Sequence, residues 1–478
     1  MKILFVISEV EDIIKTGGLA DVGKALPIAL QDLGHDVRIV MPYYKQVAKN
    51  FDVVDAMPGQ IMHINGASYA YNVKEIDFHG IKIYLIDHPY FSEAKSPYGD
   101  ESLASNAQRF SLLSLCALSV SANINFVPDI LHCNDWHTAL TPYFMHSDYL
   151  VKHQLIANED FFAHTKSVLT IHNAAFQGVE KLEGVPLLSG SDIHHIYTDN
   201  NHVNMLRTGI LFSNKVCPVS QTYATEITTY LGSHGVSDVI NQAPYKVTGI
   251  LNGCDYSQWD PATDPLIPAN YSVGNMKGKE VCKEALQKIA NLPQLKSVPL
   301  IGMVCRATKQ KGFDFIMPII EELLQHKVQF VIMGTGDQTI VAKLHEISQR
   351  NPDKFHFLEA FKPQLSHLIE AGSDFFLMPS EFEPCGLNQM YSLAYGTLPI
   401  VRHVGGLADT VIDISLPNAN GFSFADPSAL NLLSTIRNAL LRYQESPAKI
   451  KQMVQLGMQT RFTWATAAKL YEQVYQSE

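Results

Sequence analysis

Short runs of apolar residues alternate along the chain with segments whose apolar positions follow the helical period. This alternation is typical of a parallel sheet covered by helices on both faces. In the first half the runs predict strands at 2–7, 37–41, 130–133, 167–171, 215–219 and 246–251. The pattern therefore predicts that the first half is one α/β domain with a doubly wound sheet.

Two segments of the first half depart from this pattern. Residues 61–87 alternate apolar and polar positions with a period of two, and the pair His79-Gly80 interrupts them. This combination predicts a β-hairpin added to the sheet, with its turn at His79-Gly80. Residues 180–205 are polar and irregular, which predicts a loop-rich insertion over a cleft.

The strand-and-helix pattern begins again after a proline-containing segment at 257–297. It predicts strands at 299–305, 328–333, 355–358, 375–378 and 398–402, and helices at 313–325, 337–349, 365–371, 386–395, 429–443 and 447–475. Ligands of such sheets bind beyond the carboxyl ends of the strands. We therefore predict two Rossmann-like doubly wound domains, at 1–255 and 256–460, which face each other across a deep interdomain cleft. A last helix at 461–478 is predicted to pack back on the first domain.

Composition narrows the class of protein. The chain has 478 residues, a net charge of −11 and 46% apolar residues, which argues against a general nucleic-acid binder or an anionic membrane surface as partner. Its seven cysteines form no close pair and no metal-like spacing, which fits reduced thiols in the cytoplasm. The uncharged stretch 110–128 carries several serines and asparagines, so it predicts a buried helix and not a membrane span.

A glycine pair follows the first strand, in Lys15-Thr16-Gly17-Gly18-Leu19-Ala20-Asp21-Val22. Paired glycines let a backbone approach a ligand closely, and the first amides of the next helix favour a phosphate. Lys15 adds a positive charge at the same place. The alternative is an ordinary strand-to-helix turn with a surface lysine.

Three features of the second half belong together. Arg306 and Lys311 follow a strand end and could clamp a diphosphate, although a solvated basic turn is the alternative. The amides of residues 386–388, in Glu383-Pro384-Cys385-Gly386-Leu387-Asn388, would begin a helix and could bind the same diphosphate. Glu383 would then lie beside a sugar attached to that diphosphate. The string His403-Val404-Gly405-Gly406 repeats the strand and glycine-pair arrangement.

Polar residues end two strands of the first half. One strand ends in Thr170-Ile171-His172-Asn173, and the other ends in His132-Cys133-Asn134-Asp135-Trp136-His137. A histidine at the carboxyl end of a central strand can bond a sugar hydroxyl. A single histidine is more often structural, so the prediction of a sugar-binding site depends on the two clusters together.

These residues resemble the bacterial glycogen synthases and plant starch synthases, which are retaining glucosyltransferases with two facing Rossmann folds, the glycosyltransferase B (GT-B) type. The matching strings, in the family's order, are residues 15–22, Ser96-Pro97-Tyr98, Asp135-Trp136-His137-Thr138, Thr170-Ile171-His172-Asn173, Gly249-Ile250-Leu251-Asn252-Gly253, Arg306 with Lys311-Gly312, Phe382-Glu383-Pro384-Cys385-Gly386-Leu387, Tyr395-Gly396-Thr397 and Val404-Gly405-Gly406-Leu407. The resemblance covers nearly the whole chain.

The resemblance implies a hexosyltransferase that moves glucose from ADP-glucose to the non-reducing end of glycogen or another α-1,4-glucan, with retention and without a cofactor. The catalytic residues it implies are His172, Glu383, Arg306, Lys311 and Lys15. The donor-binding residues it implies are Lys15, Gly17, Gly18, Asp21, Tyr98, Asn173, Asn252, Arg306, Lys311, Phe361 against the adenine, Glu383, Cys385, Gly386, Leu387 and Asn388. Asp135, Trp136 and His137 would lie on the acceptor side, and no residue is assigned to a metal.

Two positions depart from the broader pattern. Many retaining transferases of this architecture have a second glutamate at the position of Tyr391. A tyrosine at this position is usual for the glycogen and starch synthases. Glu381 stands where these synthases commonly have arginine, so the charge beside Glu383 is less positive than in relatives.

The residues also favour a mechanism. A hydrolase that retains configuration needs two carboxylates about 5 Å apart, and Glu383 is the one obvious candidate. The sequence has no Asp-x-Asp pair, the usual divalent-metal ligand of the other transferase architecture. We therefore predict that Lys15, Arg306 and Lys311 stabilise the leaving diphosphate in place of a metal, with front-face displacement of the glucose. UDP-glucose as donor and a non-catalytic glycan-binding relative stay open as alternatives. A nicotinamide-dependent oxidoreductase is disfavoured, because Gly-x-Gly-x-x-Gly is absent after the first strand.

Overall fold

A computed structural model describes residues 1–189 and 201–477. Its strands are β1 (Lys2–Val6), β2 (Asp36–Pro42), β3 (Val54–Ile64), β4 (Ala67–Phe78), β5 (Ile81–Asp87), β6 (Ile130–Asn134), β7 (Lys166–Ile171), β8 (Val179–Lys181), β9 (His202–Asn204), β10 (Lys215–Pro218), β11 (Leu300–Val304), β12 (Gln329–Met333), β13 (Phe355–Leu358), β14 (Phe375–Met378), β15 (Leu398–Arg402) and β16 (Phe422–Phe424).

Its helices are α1 (Gly18–Asp32), α2 (Pro89–Ser92), α3 (Asn106–Asn123), α4 (Thr141–His146), α5 (Tyr149–Lys152), α6 (Met205–Phe212), α7 (Gln221–Glu226), α8 (Ser237–Gln242), α9 (Lys277–Ile289), α10 (Phe313–Ile316), α11 (Ile320–Leu323), α12 (Gln338–Arg350), α13 (Pro363–Gly372), α14 (Asn388–Ala394), α15 (Gly405–Thr410), α16 (Ala429–Glu445), α17 (Pro447–Gln459) and α18 (Trp464–Gln476). None of these helices, within the part of the chain that the structure describes, has both the length and the apolar character needed to span a bilayer.

The chain divides into two compact units. The first comprises Met1–Asn252 and Trp464–Glu478, and the second comprises Gly253–Thr463. The first unit therefore contains both ends of the chain, and the second is one continuous segment.

The first unit is built on an eight-stranded sheet with the order β10-β7-β6-β1-β2-β5-β4-β3. Six strands from β10 to β5 run parallel, and β4 and β3 extend the sheet as antiparallel strands. The register pairs Asn134 at the end of β6 with Thr170 near the end of β7. The polar residues that follow these two strands therefore begin side by side.

The predicted hairpin is confirmed, and the sheet extends beyond it. His79 and Gly80 both have positive φ, the conformation of the tight turns that suit twisted antiparallel strands. Strand β3 was not predicted; it joins β4 through a second turn, Asn65-Gly66, in which both residues again have positive φ. Residues 190–200 of the predicted insertion lie outside the described residues, and β8 and β9 on either side of them pair antiparallel.

The predicted strand at 246–251 is wrong. Thr248 and Ile250 donate backbone hydrogen bonds to Val216 and Pro218 of β10, but the segment forms a single bridge and no ladder. At Gly249 a side chain would meet the carbonyl oxygen of Ser220 at 2.5 Å, because the segment turns closely against that loop.

The last helix, α18, belongs to the core of the first unit. Trp464, Ala467 and Tyr471 are buried in the same apolar cluster as β1 and α1. The Tyr475 hydroxyl lies 2.6 Å from Nδ1 of His132, whose Nε2 lies 2.8 Å from the Thr170 hydroxyl. Burial lowers the pKa of His132 to about 3, so its neutral ring links α18 to β6 and β7.

The second unit has one parallel sheet with the order β13-β12-β11-β14-β15-β16. The order reverses between β11 and β14, and the crevice beyond the carboxyl ends of such a strand pair is where open α/β sheets bind ligands. Arg306 follows β11 and Glu383 follows β14. The topology therefore brings these two residues to the switch point.

Two long predicted helices are each divided. Pro318 interrupts the pattern at 313–325, because proline lacks an amide hydrogen and its ring clashes with the preceding turn; α10 and α11 are one turn each. The pattern at 447–475 splits into α17 and α18. Between them Phe462 accepts a hydrogen bond from Cys254 and donates one to Tyr256, so its backbone is used outside the helix.

Candidate active site

The glycine pair after β1 faces open space. No heavy atom lies within 4 Å of the position a Cβ would take at Gly17 or Gly18. Helix α1 begins at Gly18, and the amides of Gly18 and Leu19 have no hydrogen-bond partner among residues 1–189 and 201–477. This geometry fits the predicted approach of an anionic ligand.

Lys15 is held between two carboxylates. Its Nζ lies 2.8 Å from Glu11 Oε1 and 2.8 Å from Asp21 Oδ1. Burial alone would lower the pKa of Lys15, but the charges and hydrogen bonds of Asp21 and Glu11 outweigh burial and raise it. Lys15 is therefore a fixed cation, and Asp21 has a clear role in positioning it.

Glu9 is a central residue of this loop that the sequence analysis missed. Its Oε2 accepts hydrogen bonds from the amides of Thr16 at 2.5 Å and Gly17 at 3.4 Å, and its Oε1 accepts one from the Tyr98 hydroxyl at 2.9 Å. The amides before Gly18 are thus already used by this buried carboxylate. Glu9 also joins the glycine loop to Tyr98, a residue that the family resemblance assigns to donor binding. The one available signal was the acidic run directly after β1.

His172 lies beside the end of β6. Its Nε2 donates to Oδ1 of Asn134 at 3.1 Å, while the Asn134 amide group donates to the carbonyl of Val6. Loss of water around the ring lowers the pKa of His172 to about 3. The ring is therefore neutral, and its Nδ1 is left as a hydrogen-bond acceptor.

Asp135 fixes the backbone that carries His172. Its Oδ1 accepts hydrogen bonds from the amides of His172 at 2.8 Å and Asn173 at 3.2 Å. Asp135 itself has φ 57° and ψ −175°, a conformation that almost only glycine adopts and that costs about 1–3 kcal/mol. Strained residues of this kind cluster at functional sites, and here the Asp135 carboxylate aligns the backbone at the ends of β6 and β7.

This carboxylate also gives a prediction about pH. Burial raises the pKa of Asp135 to about 7, against the lowering effect of its two amide hydrogen bonds. The folded pKa exceeds the unfolded one near 4, so the native state binds more protons in between. The contribution of Asp135 to the free energy of unfolding should therefore fall as the pH rises from about 4 to 7, by up to about 1.4 kcal/mol per pH unit.

The variant Asp135→Asn removes this ionisation while keeping an oxygen acceptor. We expect its free energy of unfolding in urea, relative to the wild type, to improve between pH 5 and pH 7 and to stay constant above. Parallel pH profiles for the two proteins would contradict the prediction.

Trp136, His137 and Tyr98 form an aromatic cluster after β6. The His137 ring centroid lies 4.1 Å from that of Trp136 and 4.6 Å from that of Tyr98. His137 is buried, and burial lowers its pKa well below the usual value, so it is a neutral packing element. Trp136 keeps partial exposure.

Asn252 stands at the last position of the first unit. Its side chain is buried, and its Oδ1 has no hydrogen-bond partner within the described ranges. A buried polar atom without a partner needs an explanation, and a ligand hydroxyl is one.

In the second unit, Lys311 and Glu383 form a close ion pair at the switch point. Lys311 Nζ lies 2.6 Å from Glu383 Oε2, which also accepts a hydrogen bond from the Ser380 hydroxyl at 2.9 Å. Arg306 is exposed, and its side chain has no ion-pair or hydrogen-bond partner among the residues that the structure describes. The site therefore combines one neutralised and one unpaired cation.

The second glycine pair differs from the first. A side chain at Gly405 would meet the carbonyl oxygen of Glu383 at 2.0 Å, and one at Gly406 would meet that of Cys385 at 2.0 Å. The amide of Gly406 donates to the Glu383 carbonyl at 3.1 Å. This pair does not repeat the open glycine loop of the first unit; it makes room for the loop that carries Glu383.

The other predicted donor residues surround this loop. Gly386 has φ 71°, Cys385 is buried, and Leu387 precedes α14. The Asn388 side chain donates to the carbonyl of Val304 at the end of β11, which ties β11 to α14. Phe361 is 75% exposed on the loop between β13 and α13, open to stacking by a planar group.

Tyr391 has a packing role that the sequence did not indicate. Its ring is stacked on Trp259, with centroids 3.9 Å apart and planes at 6°. His367 stacks on Trp259 at 3.7 Å, and its Nδ1 lies 2.8 Å from Asp264. Many retaining transferases of this architecture have a second carboxylate at the position of Tyr391. In this chain the Tyr391 ring instead packs in a stack with Trp259 and His367.

Comparisons with known proteins agree with this architecture. The family model for the starch synthase catalytic domain matches residues 2–242, and that for glycosyl transferases group 1 matches residues 285–455. The glycogen synthase of Aeromonas salmonicida (strain A449) is 46% identical over 100% of this chain and 98% of its own. The glycogen synthase of Vibrio parahaemolyticus is 45% identical over the same shares of the two chains.

Solved structures are similar as well. The catalytic domain of Starch Synthase IV from Arabidopsis thaliana, bound to ADP and acarbose, matches with a TM-score of 0.89 and 31% identity over 99% of this chain and 98% of that one. A sucrose-phosphate synthase from Thermosynechococcus elongatus, 15% identical with a TM-score of 0.57 over the same shares, has the same fold.

The fold and these matches define a hexosyltransferase of the GT-B type, with two α/β domains. The chain belongs to the family of bacterial glycogen synthases and starch synthases, as the resemblance predicted.

Proposed function

We propose that the chain transfers glucose from ADP-glucose to the non-reducing end of an α-1,4-glucan, with retention at the anomeric carbon. The single observation that carries this proposal is the group Arg306, Lys311 and Glu383 at the switch point of the second unit. The starch synthase similar to this chain was solved with ADP, which supports adenine as the base of the donor.

Arg306 and Lys311 are proposed to bind the diphosphate of the donor. Arginine offers a planar fork of donors and lysine a point charge, and both suit phosphate. Cys385, Gly386, Leu387 and Asn388 would line the same loop, with Phe361 against the adenine. Glu383, anchored by Lys311 and Ser380, would accept hydrogen bonds from glucosyl hydroxyls.

In the first unit, Lys15, Gly17 and Gly18 are proposed to contact a donor phosphate. Asp21 would hold Lys15 in place. His172, Asn173, Tyr98 and Asn252 are proposed to contact the glucosyl unit. The acceptor would approach from Asp135, Trp136 and His137.

The proposed chemistry needs a stabilised leaving group. As the bond to the anomeric carbon breaks, negative charge grows on the diphosphate, and fixed cations in a site without water stabilise it strongly. The acceptor hydroxyl would then attack from the same face as the leaving phosphate and pass its proton to an oxygen of that phosphate, which supports retention without a second carboxylate. A cytoplasmic location stays a prediction.

The proposal is tested by turnover with ADP-glucose and UDP-glucose side by side, with glycogen as acceptor. We expect ADP-glucose to give kcat/KM at least about tenfold higher. We also expect the rate to survive excess EDTA, because cations of the protein do the work of a metal. A preference for UDP-glucose, or activity that returns only with magnesium or manganese, would contradict the proposal.

A further inference from the structure

Arg109, on α3, is a buried charge that the proposed mechanism does not use. The residue is 0% exposed, and among the described residues its guanidinium donates hydrogen bonds to neutral oxygens alone. Removing a charge from water without an ion-pair partner is costly, because neutral acceptors repay only part of the lost hydration. A charge kept in such a place therefore calls for a specific use.

The Arg109 guanidinium binds one irregular segment of the chain mainly through backbone carbonyls. Its Nε donates to the carbonyl of Tyr90 at 2.8 Å, and its Nη2 donates to that of Pro97 at 3.2 Å. Its Nη1 donates to the carbonyl of Asp100 at 3.3 Å and to Asn106 Oδ1 at 2.8 Å. The fork of arginine donors suits acceptors that lie in several directions, so Arg109 fixes the path of residues 90–100.

Tyr98 lies in the segment that Arg109 fixes. Its hydroxyl donates to Glu9 Oε1 at 2.9 Å and lies 2.7 Å from the Ser8 hydroxyl. Burial raises the pKa of Tyr98 well above its usual value, so the hydroxyl keeps the proton that it donates. The other oxygen of Glu9 accepts hydrogen bonds from amides of the glycine loop. Contacts therefore run without a break from Arg109 through Tyr98 and Glu9 to that loop.

We propose that Arg109 is a positioning residue for the transfer reaction, because it holds Tyr98 against Glu9 and, through Glu9, sets the glycine loop. The inference rests on the proposed function, in which Tyr98 and the glycine loop contact the donor. Arg109 itself touches no substrate. Its effect on the rate passes through the placement of these groups, since small displacements of site residues cost much of their effect.

The test compares Arg109→Met, Tyr98→Phe and the double variant in the full chain, with ADP-glucose and glycogen. Methionine keeps an apolar side chain between the rings of Phe91 and Phe110, which lie 5.7 Å and 5.6 Å from the guanidinium carbon. We expect each single variant to lower kcat about tenfold. The double variant should stay within about twofold of the slower single variant, because two residues that act through one contact are not additive.

An additive loss of about a hundredfold in the double variant would show that Arg109 acts independently of Tyr98, and it would overturn the proposal. Near-normal kcat in Arg109→Met would overturn it as well.

Lys283→Met is the matched control, since Lys283 is another buried cation that ties a loop. Its Nζ donates to the carbonyls of Lys296 at 3.0 Å and Val298 at 2.8 Å and pairs with Asp374 at 2.7 Å. These acceptors precede β11 and β14, at the sheet edge opposite the switch-point crevice. Lys283→Met should lower the urea midpoint of unfolding and keep kcat within about twofold. A tenfold loss of kcat here would mean that lost stability alone explains Arg109→Met.

Asp100→Ala tests the same segment from its exposed side, should Arg109→Met fail to fold. The Asp100 carboxylate accepts hydrogen bonds from the amides of Lys95 at 2.8 Å and Ser102 at 3.2 Å. We expect Asp100→Ala to lower kcat about threefold, and its combination with Tyr98→Phe to be no slower than Tyr98→Phe alone. A combined loss of about thirtyfold would overturn the proposal.

Urea unfolding of the same variants separates this inference from the proposed donor. Tyr98→Phe should lower the urea midpoint of the wild type, and in the Arg109→Met background this effect should shrink to less than about half. That result, without transfer from ADP-glucose by the wild type, would refute the proposed function and leave the link from Arg109 to Tyr98 standing. Equal effects of Tyr98→Phe in both backgrounds would refute the link.

Discussion

Replacing Arg306 by alanine is expected to lower kcat at least about a hundredfold, the scale for loss of one preorganised charge donor. The same change should leave the melting temperature unaltered, because the Arg306 side chain is exposed and has no partner in the described residues. Steady-state kinetics with ADP-glucose and glycogen, together with thermal unfolding, measure both effects.

Lys309 provides a matched control on the same loop. It is a basic residue with a 71% exposed side chain whose partner is Asp314. Lys309→Ala should keep normal turnover, so that a loss of kcat in Arg306→Ala reflects position and not total charge. Near-normal turnover in Arg306→Ala would remove this residue from the mechanism.

Replacing Lys311 by alanine is expected to lower kcat to a similar extent and also to destabilise the protein. Among the residues that the structure describes, the largely buried Glu383 carboxylate would keep the Ser380 hydroxyl as its one side-chain partner. Leaving such a buried carboxylate without its cation costs about 3–5 kcal/mol. Urea unfolding and steady-state kinetics on the same preparation measure the two losses.

The double variant Lys311→Met with Glu383→Gln separates stability from catalysis. Removing both charges relieves the unpaired carboxylate, so we expect most of the lost stability to return. Activity should stay low, since neither the cation nor the carboxylate is restored. Recovery of turnover along with stability would mean that the pair is only structural.

The fold could be predicted where the hydrophobic runs are long and polar residues mark both of their ends. The central strands of both sheets follow directly from such runs, because strands buried on both faces are continuously apolar. The errors have local physical reasons. The apolar pattern at 313–325 has the helical period, but Pro318 within it interrupts the helix. At Phe462 the backbone forms hydrogen bonds with Cys254 and Tyr256, so the helix ends before it.

The site could be predicted only in part. Charged and glycine-rich strings at strand ends predicted Lys15, Arg306, Lys311 and Glu383 as site residues, because the carboxyl ends of parallel strands meet at one edge of their sheet. Sequence could not reveal that Glu9 occupies the amides of the glycine loop, since this depends on side-chain direction.

The same limit applies to the two glycine pairs, whose strings are alike. One faces open space and the other clears room for the Glu383 loop, a difference that lies in tertiary packing. Tyr391 is a similar case, because its partner Trp259 is distant in sequence and the stack between them exists only in the folded unit.

The position of α18 has a consequence for biosynthesis. Because the core of the first unit includes Trp464, Tyr471 and Tyr475, its folding can finish only after residues 464–475 have left the ribosome. All residues of the second unit, a continuous stretch from 253 to 463, are synthesised before α18. During translation the nascent N-terminal half must therefore wait, with the surface that α18 later covers exposed to chaperones.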